Sequence, residues 1–312
     1  MLYAEGFCFF INFKGVVILS LFTGSGVALV TPFTKDGEID FQSLGKLIDF
    51  QIESGTDALI ICGTTGEGST VTFDEKSRVF DFAVKRADGK IPVIAGTGSN
   101  STEHTLKQIA QAEKAGVDAH LIVTPYYNKT SQSGIIKHYF TLADFAEKPI
   151  IVYNVPSRTG LDIKVETYKK LSEHKNIVGA KEASGDLTKM MKIIKECGEN
   201  FDVYVGNDDQ TASAAAMGAK GVISVLANIF PKETHVMAKL GTGGDTVRCH
   251  MMQAEYLGLI SALFADVNPI PVKYAMEYLG LCGGTLRLPL VEASESVKER
   301  IRAEIDKAAS LG

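Results

Sequence analysis

The residues that could do chemistry begin in "NIVGAKEASG", residues 176–185, where an apolar run ends in Lys181. Lysine is among the residues least often fully buried. An amine at the end of an apolar strand is desolvated, which disfavours its charged form. A neutral amine attacks carbonyls, so the chemistry on offer is a Schiff base. The bland reading is an ion pair with Glu182, but neighbours on a strand point to opposite faces. Tyr153 closes a second apolar run, "PIIVY" (149–153), while Tyr126 and Tyr127 follow a third, "AHLIVT" (119–124). Hydrogen-bonded tyrosines relay protons, and dehydrating a carbinolamine needs acid–base help. "GTTGEGS" (63–69) adds loop amides and the hydroxyls of Thr64 and Thr65, a cradle for a carboxylate. No GK[ST] follows it, so it is not a nucleotide-binding P-loop. Arg158, in "YNVPSRTG" (153–160), is suited to clamping a second carboxylate with two parallel bonds. The 6 histidines show no HExxH and no i,i+4 pair, so no catalytic metal is expected. No cofactor is expected either. Asp208 and Asp209 read as helix caps, and Cys62 as a small packed residue.

Those residues need a scaffold that brings distant strand ends together. Short β-branched runs recur at 27–31, 57–62, 91–97, 119–124, 149–153, 176–181, 201–206 and 221–225. They are nearly continuous apolar segments, as expected of parallel strands covered on both faces. Amphipathic helix-length segments separate most of them. "DFQSLGKLIDFQIESG" has Asp40 as its N-cap. "STEHTLKQIAQAEKAG" opens with a capping pair and closes on Gly116. Eight β-then-α units predict an α/β fold, a closed (β/α)8 TIM barrel. A doubly wound open sheet competes, but no GxGxxG follows its first strand. After residue 226 the strand signal stops, and the chain reads as the barrel's last helix plus a helical appendix. The expected division is a leader over 1–21, the barrel over 22–245 and a C-terminal helical domain over 246–312.

The chain has 312 residues with a formal charge of −5, and its Lys and Arg are scattered. That argues against nucleic acid or an anionic membrane as the partner, but not against a small anionic substrate. Its 5 cysteines lie at wide, irregular spacings without CxxC, which points to a reducing cytoplasm rather than a disulfide framework. The apolar stretch "GFCFFINFKGVVILSLF" is broken by Asn12, Lys14 and Gly15 short of a membrane span. It has neither a cationic start nor a cleavage site.

"GTTGE", "AGTGSN", "TPYYNK", "YNVPSRTG", "GAKEASGD", "GVISVLAN" and "NPIPVK" occur in the order and spacing of one family. Over residues 22–312 the chain resembles the dihydrodipicolinate synthases, pyruvate-dependent Schiff-base aldolases and lyases. The resemblance implies that Lys181 forms a Schiff base with pyruvate, whose enamine attacks the aldehyde of L-aspartate 4-semialdehyde. The product is 4-hydroxy-tetrahydrodipicolinate, on the route to diaminopimelate and lysine. Tyr153 would carry protons in a triad with Thr65 and Tyr127, while Tyr126 would reach into a neighbouring subunit. Arg158 would hold the semialdehyde's carboxylate, and the Thr64 and Thr65 amides pyruvate's. Gly206 and Ile223 match backbone-carbonyl positions beside the lysine. The implied assembly is a homotetramer, a dimer of dimers. The sister N-acetylneuraminate lyases and 2-keto-3-deoxy sugar-acid aldolases share the lysine and tyrosine, but resemble the chain less at Arg158. Where lysine-inhibited relatives carry an imidazole-and-carboxylate site, this chain has Gly68, Phe73, Lys76 and His104 beside Asn100 and Tyr126. Weak or absent feedback by lysine is the expectation.

Overall fold

A computed structural model describes residues 20–310. Eight parallel strands close in sequence order, β1 pairing with both β2 and β8. They are β1 (Gly24–Ala28), β2 (Ala58–Ile61), β3 (Val93–Gly96), β4 (Ala119–Val123), β5 (Ile150–Asn154), β6 (Ile177–Glu182), β7 (Asp202–Val205) and β8 (Gly221–Ser224). Around them run α1 (Phe41–Glu53), α2 (Phe73–Ala87), α3 (Thr102–Ala115), α4 (Gln132–Phe145), α5 (Pro156–Thr159) and α6 (Val165–Leu171). The remaining helices are α7 (Leu187–Cys197), α8 (Thr211–Ala216), α9 (Pro231–Thr242), α10 (Thr246–Leu263), α11 (Ile270–Tyr278) and α12 (Glu295–Ala309). This is the expected (β/α)8 barrel with further helices after it.

Local chemistry sets the helix boundaries. Asp40 accepts from the Ser43 amide at the start of α1, and Thr72 with Glu75 forms a reciprocal capping box on α2. Ser101 caps α3, which ends on Gly116 in the left-handed conformation at φ 87°. The first strand begins earlier than its apolar run suggests, at Gly24 rather than Val27. Glycines are poor strand formers, so "GSG" hid the beginning of β1.

Alternation along the strands makes two layers. Ile60, Ile94, Leu121, Ile151, Tyr153, Tyr204 and Ile223 pack together inside the barrel. Their sequence neighbours, such as Leu59, Ile122, Val152 and Val203, pack outward against the helices. Phe22 closes the N-terminal end by stacking on Tyr204 at 4.3 Å. The expected leader, residues 1–21, lies outside the described residues except for Ser20 and Leu21. Among the described residues no helix is long and apolar enough to cross a membrane.

Helix α10 packs on α8, α9 and α12. The segment leaving it, residues 264–269, returns to the C-terminal mouth of the barrel, where Asn268 lines the cavities described next.

Candidate active site

Strands β5 and β6 carry the centre of the site. Tyr153 pairs with Lys181, and Asn154 with Glu182. Alternation turns the first pair inward and the second outward. Simple alternation from Ile177 would not do this, because Ile177 itself packs outward among the helices. The register slips by one between Ile150↔Ile177 and Ile151↔Gly179. Such a bulge exchanges the faces of everything after it. Gly179 stands at the slip, where a Cβ would come within 2.3 Å of the Asp202 carbonyl oxygen. The local sequence "VGA" therefore aims Lys181 into the barrel.

Lys181 is 6% exposed, with its Nζ 4.5 Å from the centroid of the Tyr153 ring. Among the described residues it forms no ion pair. Glu182 lies behind the strand, where it accepts from Tyr168 Oη (2.7 Å), the Ser184 amide (2.8 Å) and Asn154 Nδ2 (3.1 Å). Burial, then the charge of Glu182, push the Tyr168 phenol well above its ordinary pKa, which keeps it a donor. The bland reading of Lys181 as the partner of Glu182 does not hold. Gly206 makes room for the lysine, since a Cβ there would stand 2.9 Å from Lys181 Cε.

An inner cavity of about 180 Å³ gathers Lys181, Tyr153, Thr64, Thr65, Arg158, Gly206 and Asn268. It adjoins an outer cavity of about 1120 Å³, whose lining includes Thr64, Tyr126, Tyr127, Arg158, Lys129, Lys76 and His104. The one acidic residue lining the outer cavity, Glu67, is bound by Lys273 at 2.5 Å. Unpaired cations thus face the opening, a field that draws in anions.

The loop after β2 is held from several sides. Thr31 Oγ1 donates to the Gly66 carbonyl at 2.6 Å. Lys273 also donates to the Thr285 carbonyl at 2.7 Å. The Arg287 amide donates to Glu67 at 3.1 Å, and its guanidinium bonds Glu75. That guanidinium is the main reason the Glu75 carboxyl is held down at about 2.

The sequence-predicted residues separate into three groups. Lys181, Tyr153, Thr64, Thr65, Arg158 and Gly206 meet in the inner cavity. Tyr126 and Tyr127 line only the outer one, and Tyr127 is 91% exposed with its backbone in the left-handed region at φ 67°. Ile223 is fully buried in the inner wall and lines neither cavity. Asp208 does not cap the helix that follows it. It is buried, and accepts from the Ser224 hydroxyl and from the Val225 and Leu226 amides of the turn after β8. Burial raises its carboxyl, against the pull of those bonds and of the Lys181 charge. Cys62 is packed as expected, its thiol pushed up to about 12 by burial.

Sequence reading missed Asn268 and Glu67 as site residues. Both stand in quoted motifs, "NPIPVK" and "GTTGE", yet nothing local gave them partners. Asn268 Nδ2 donates to Thr65 Oγ1 at 2.9 Å, and its carbonyl accepts from Arg158 Nη2 at 3.0 Å.

Comparison with known proteins follows the same lines. The model of the Dihydrodipicolinate synthetase family matches residues 21–308. The 4-hydroxy-tetrahydrodipicolinate synthase of Thermoanaerobacter sp. (strain X514) is 49% identical over 290 residues, 93% of this chain and 97% of that one. The dihydrodipicolinate synthase structure from Aquifex aeolicus is 45% identical with a TM-score of 0.90, covering 92% of this chain and 98% of that chain. The chloride-inhibited enzyme from Acinetobacter baumannii, solved in complex with pyruvate, is 40% identical with a TM-score of 0.91, covering 92% and 99%.

Proposed function

The chain belongs to the dihydrodipicolinate synthetase family, and from that membership we propose that it condenses pyruvate with L-aspartate 4-semialdehyde to give 4-hydroxy-tetrahydrodipicolinate. It is a Schiff-base lyase of diaminopimelate and lysine synthesis. The observation that carries this reading is Lys181, buried without a carboxylate partner beside the Tyr153 ring in the inner cavity. The Lys181 amine gives up a proton and adds to C2 of pyruvate, and the carbinolamine loses water to an iminium ion. Loss of a methyl proton gives the enamine. Its C3 attacks the aldehyde carbon, whose oxygen takes a proton to become the hydroxyl. The semialdehyde's own amine then displaces Lys181 from C2, closing the ring and freeing the enzyme.

Tyr153 carries the protons, because its ring lies against the lysine and the residue lines the inner cavity. Thr64 lines both cavities and is the hydroxyl best placed to pass protons outward. Thr65, engaged by Asn268, holds pyruvate's carboxylate with its neighbouring amides. Arg158 clamps the carboxylate of the semialdehyde. These assignments move the threonine of the implied triad from Thr65 to Thr64. Gly206 lines the lysine end of the site, where the resemblance implies that its backbone carbonyl and that of Ile223 face the amine.

Of the rim tyrosines, Tyr127 is the one assigned to a second copy of the chain, in place of Tyr126. A strained, exposed aromatic costs about 1–3 kcal/mol in backbone alone, which contact with a partner would offset. A homotetramer built from such pairs is the proposed assembly. The 4 described cysteines are free, in keeping with a reducing cytoplasm.

Supplying pyruvate with either aspartate semialdehyde or sugar aldehydes tests the reading against the sister aldolases. The semialdehyde should be preferred by orders of magnitude; preference for a sugar aldehyde would overturn it. Phe73, Lys76 and His104 give an incoming ammonium group no carboxylate, so millimolar L-lysine should leave turnover unchanged. Half-inhibition at or below 1 mM, on the order of the affinity that ~4 kcal/mol provides, would contradict this.

A further inference from the structure

One residue of the C-terminal segment touches both places where a carboxylate is to be held. Asn268 is 7% exposed and lines the inner and outer cavities. Its side-chain amide reaches the loop after β2 through Thr65 (2.9 Å), and its backbone carbonyl reaches the loop after β5 through Arg158 (3.0 Å). Its Oδ1 is buried with no partner. Leaving half an amide unsatisfied in the interior is costly, and packing alone does not require an asparagine there. Five residues on, buried Lys273 grips the same β2 loop at Glu67.

We propose that Asn268 is a positioning residue that fixes the pyruvate cradle relative to the semialdehyde clamp. This rests on the roles given above to Thr65 and Arg158. The distance between enamine carbon and aldehyde carbon depends on how those two carboxylate sites are spaced, and small misplacements are expensive in rate. Asn268 joins them through one covalent unit, Nδ2 on one side and the main-chain carbonyl on the other. Substituting the side chain therefore releases only the pyruvate side.

The test is steady-state kinetics on Asn268→Ala. KM for pyruvate should rise about three- to tenfold, the size of one buried neutral hydrogen bond. KM for the semialdehyde should stay within about twofold, since the Arg158 contact is to the backbone. Thr65→Val should give the same pyruvate defect, and the double variant should be no worse than the worse single, as expected for partners in one bond. Thr65→Ser keeps the acceptor for Asn268 and should raise the pyruvate KM less than Thr65→Val does. Should Asn268→Ala fail to fold, Asn268→Ser and the two Thr65 variants still report. An unchanged pyruvate KM with only a lowered Tm, or strictly additive effects, overturns the proposal. Borohydride trapping with increasing pyruvate separates the two layers of inference. If native protein traps no pyruvate, the function reading fails. If native and Asn268→Ala protein trap at the same half-saturating concentration, only the positioning role fails.

Discussion

Two of the lysines buried around the mouth of this barrel, Lys273 and Lys181, stand in opposite circumstances. Lys273, on α11, is 0% exposed, packs its ammonium 4.0 Å from the Phe33 ring centroid and is bound by Glu67 at 2.5 Å. Lys181, on β6, is 6% exposed, packs 4.5 Å from the Tyr153 ring centroid and has no carboxylate. Burial lowers the pKa of Lys273, and the charge and hydrogen bond of Glu67 counter it. The paired lysine ties the C-terminal helices to the β2 loop, and it faces no open space of its own. The unpaired one faces a cavity large enough for a keto acid. Lys273, held in an ion pair, serves the architecture, whereas Lys181, with no ion-pair partner among the described residues and facing the inner cavity, is the amine placed for reaction.

Exchanging the two lysines for methionine breaks this comparison if their effects are alike. Lys181→Met should lose more than about 10⁴-fold in kcat, since it removes the proposed nucleophile, with Tm near native. Tyr153→Phe should slow kcat by about 10²–10⁴, as expected for loss of a proton carrier, again with Tm near native. Lys273→Met should instead lose about 3–5 kcal/mol of stability, because Glu67 is left as an unpaired buried charge. Denaturant midpoints measure it. Adding Glu67→Gln to Lys273→Met should recover much of the loss, since removing both partners is far cheaper than removing one. A Lys273 variant of native stability, or a Lys181 variant that unfolds, would erase the distinction.

A gentler probe lies next to the paired lysine. Arg287 holds the Glu75 carboxyl at about 2, below the ordinary 4.5. A carboxylate with a depressed folded pKa adds stability that is complete above about pH 5 and fades as pH falls towards 2. Glu75→Gln should therefore cost on the order of 1–3 kcal/mol at pH 7. The gap to native protein should close as pH drops through that window. A gap independent of pH would mean that shape, not charge, makes the contact.

The sequence made the barrel and the inward chemistry legible because both depend on local patterns. Apolar runs of strand length ended at Tyr153 and Lys181, and each ended where a βα loop begins. What stayed hidden depends on close approach in space. The slip falls at Gly179, where a side chain would meet the Asp202 carbonyl on β7. Asn268 and Thr65 are 203 positions apart, so no periodicity links them. Asp208 looked like a cap because an aspartate before a helix has the same local signature whether it caps that helix or a turn across the barrel. Tyr126 and Tyr127 are neighbours in sequence, and the difference in their exposure, 36% against 91%, depends on how the loop after β4 is placed.

The most direct test of the reactive lysine is chemical. Protein incubated with pyruvate is reduced with borohydride, digested and mapped by mass. The adduct of reduced pyruvate should sit on the peptide carrying Lys181 and on no peptide carrying Lys273, with activity lost in proportion. Fully active protein with no adduct, or an adduct on Lys273, would contradict the assignment.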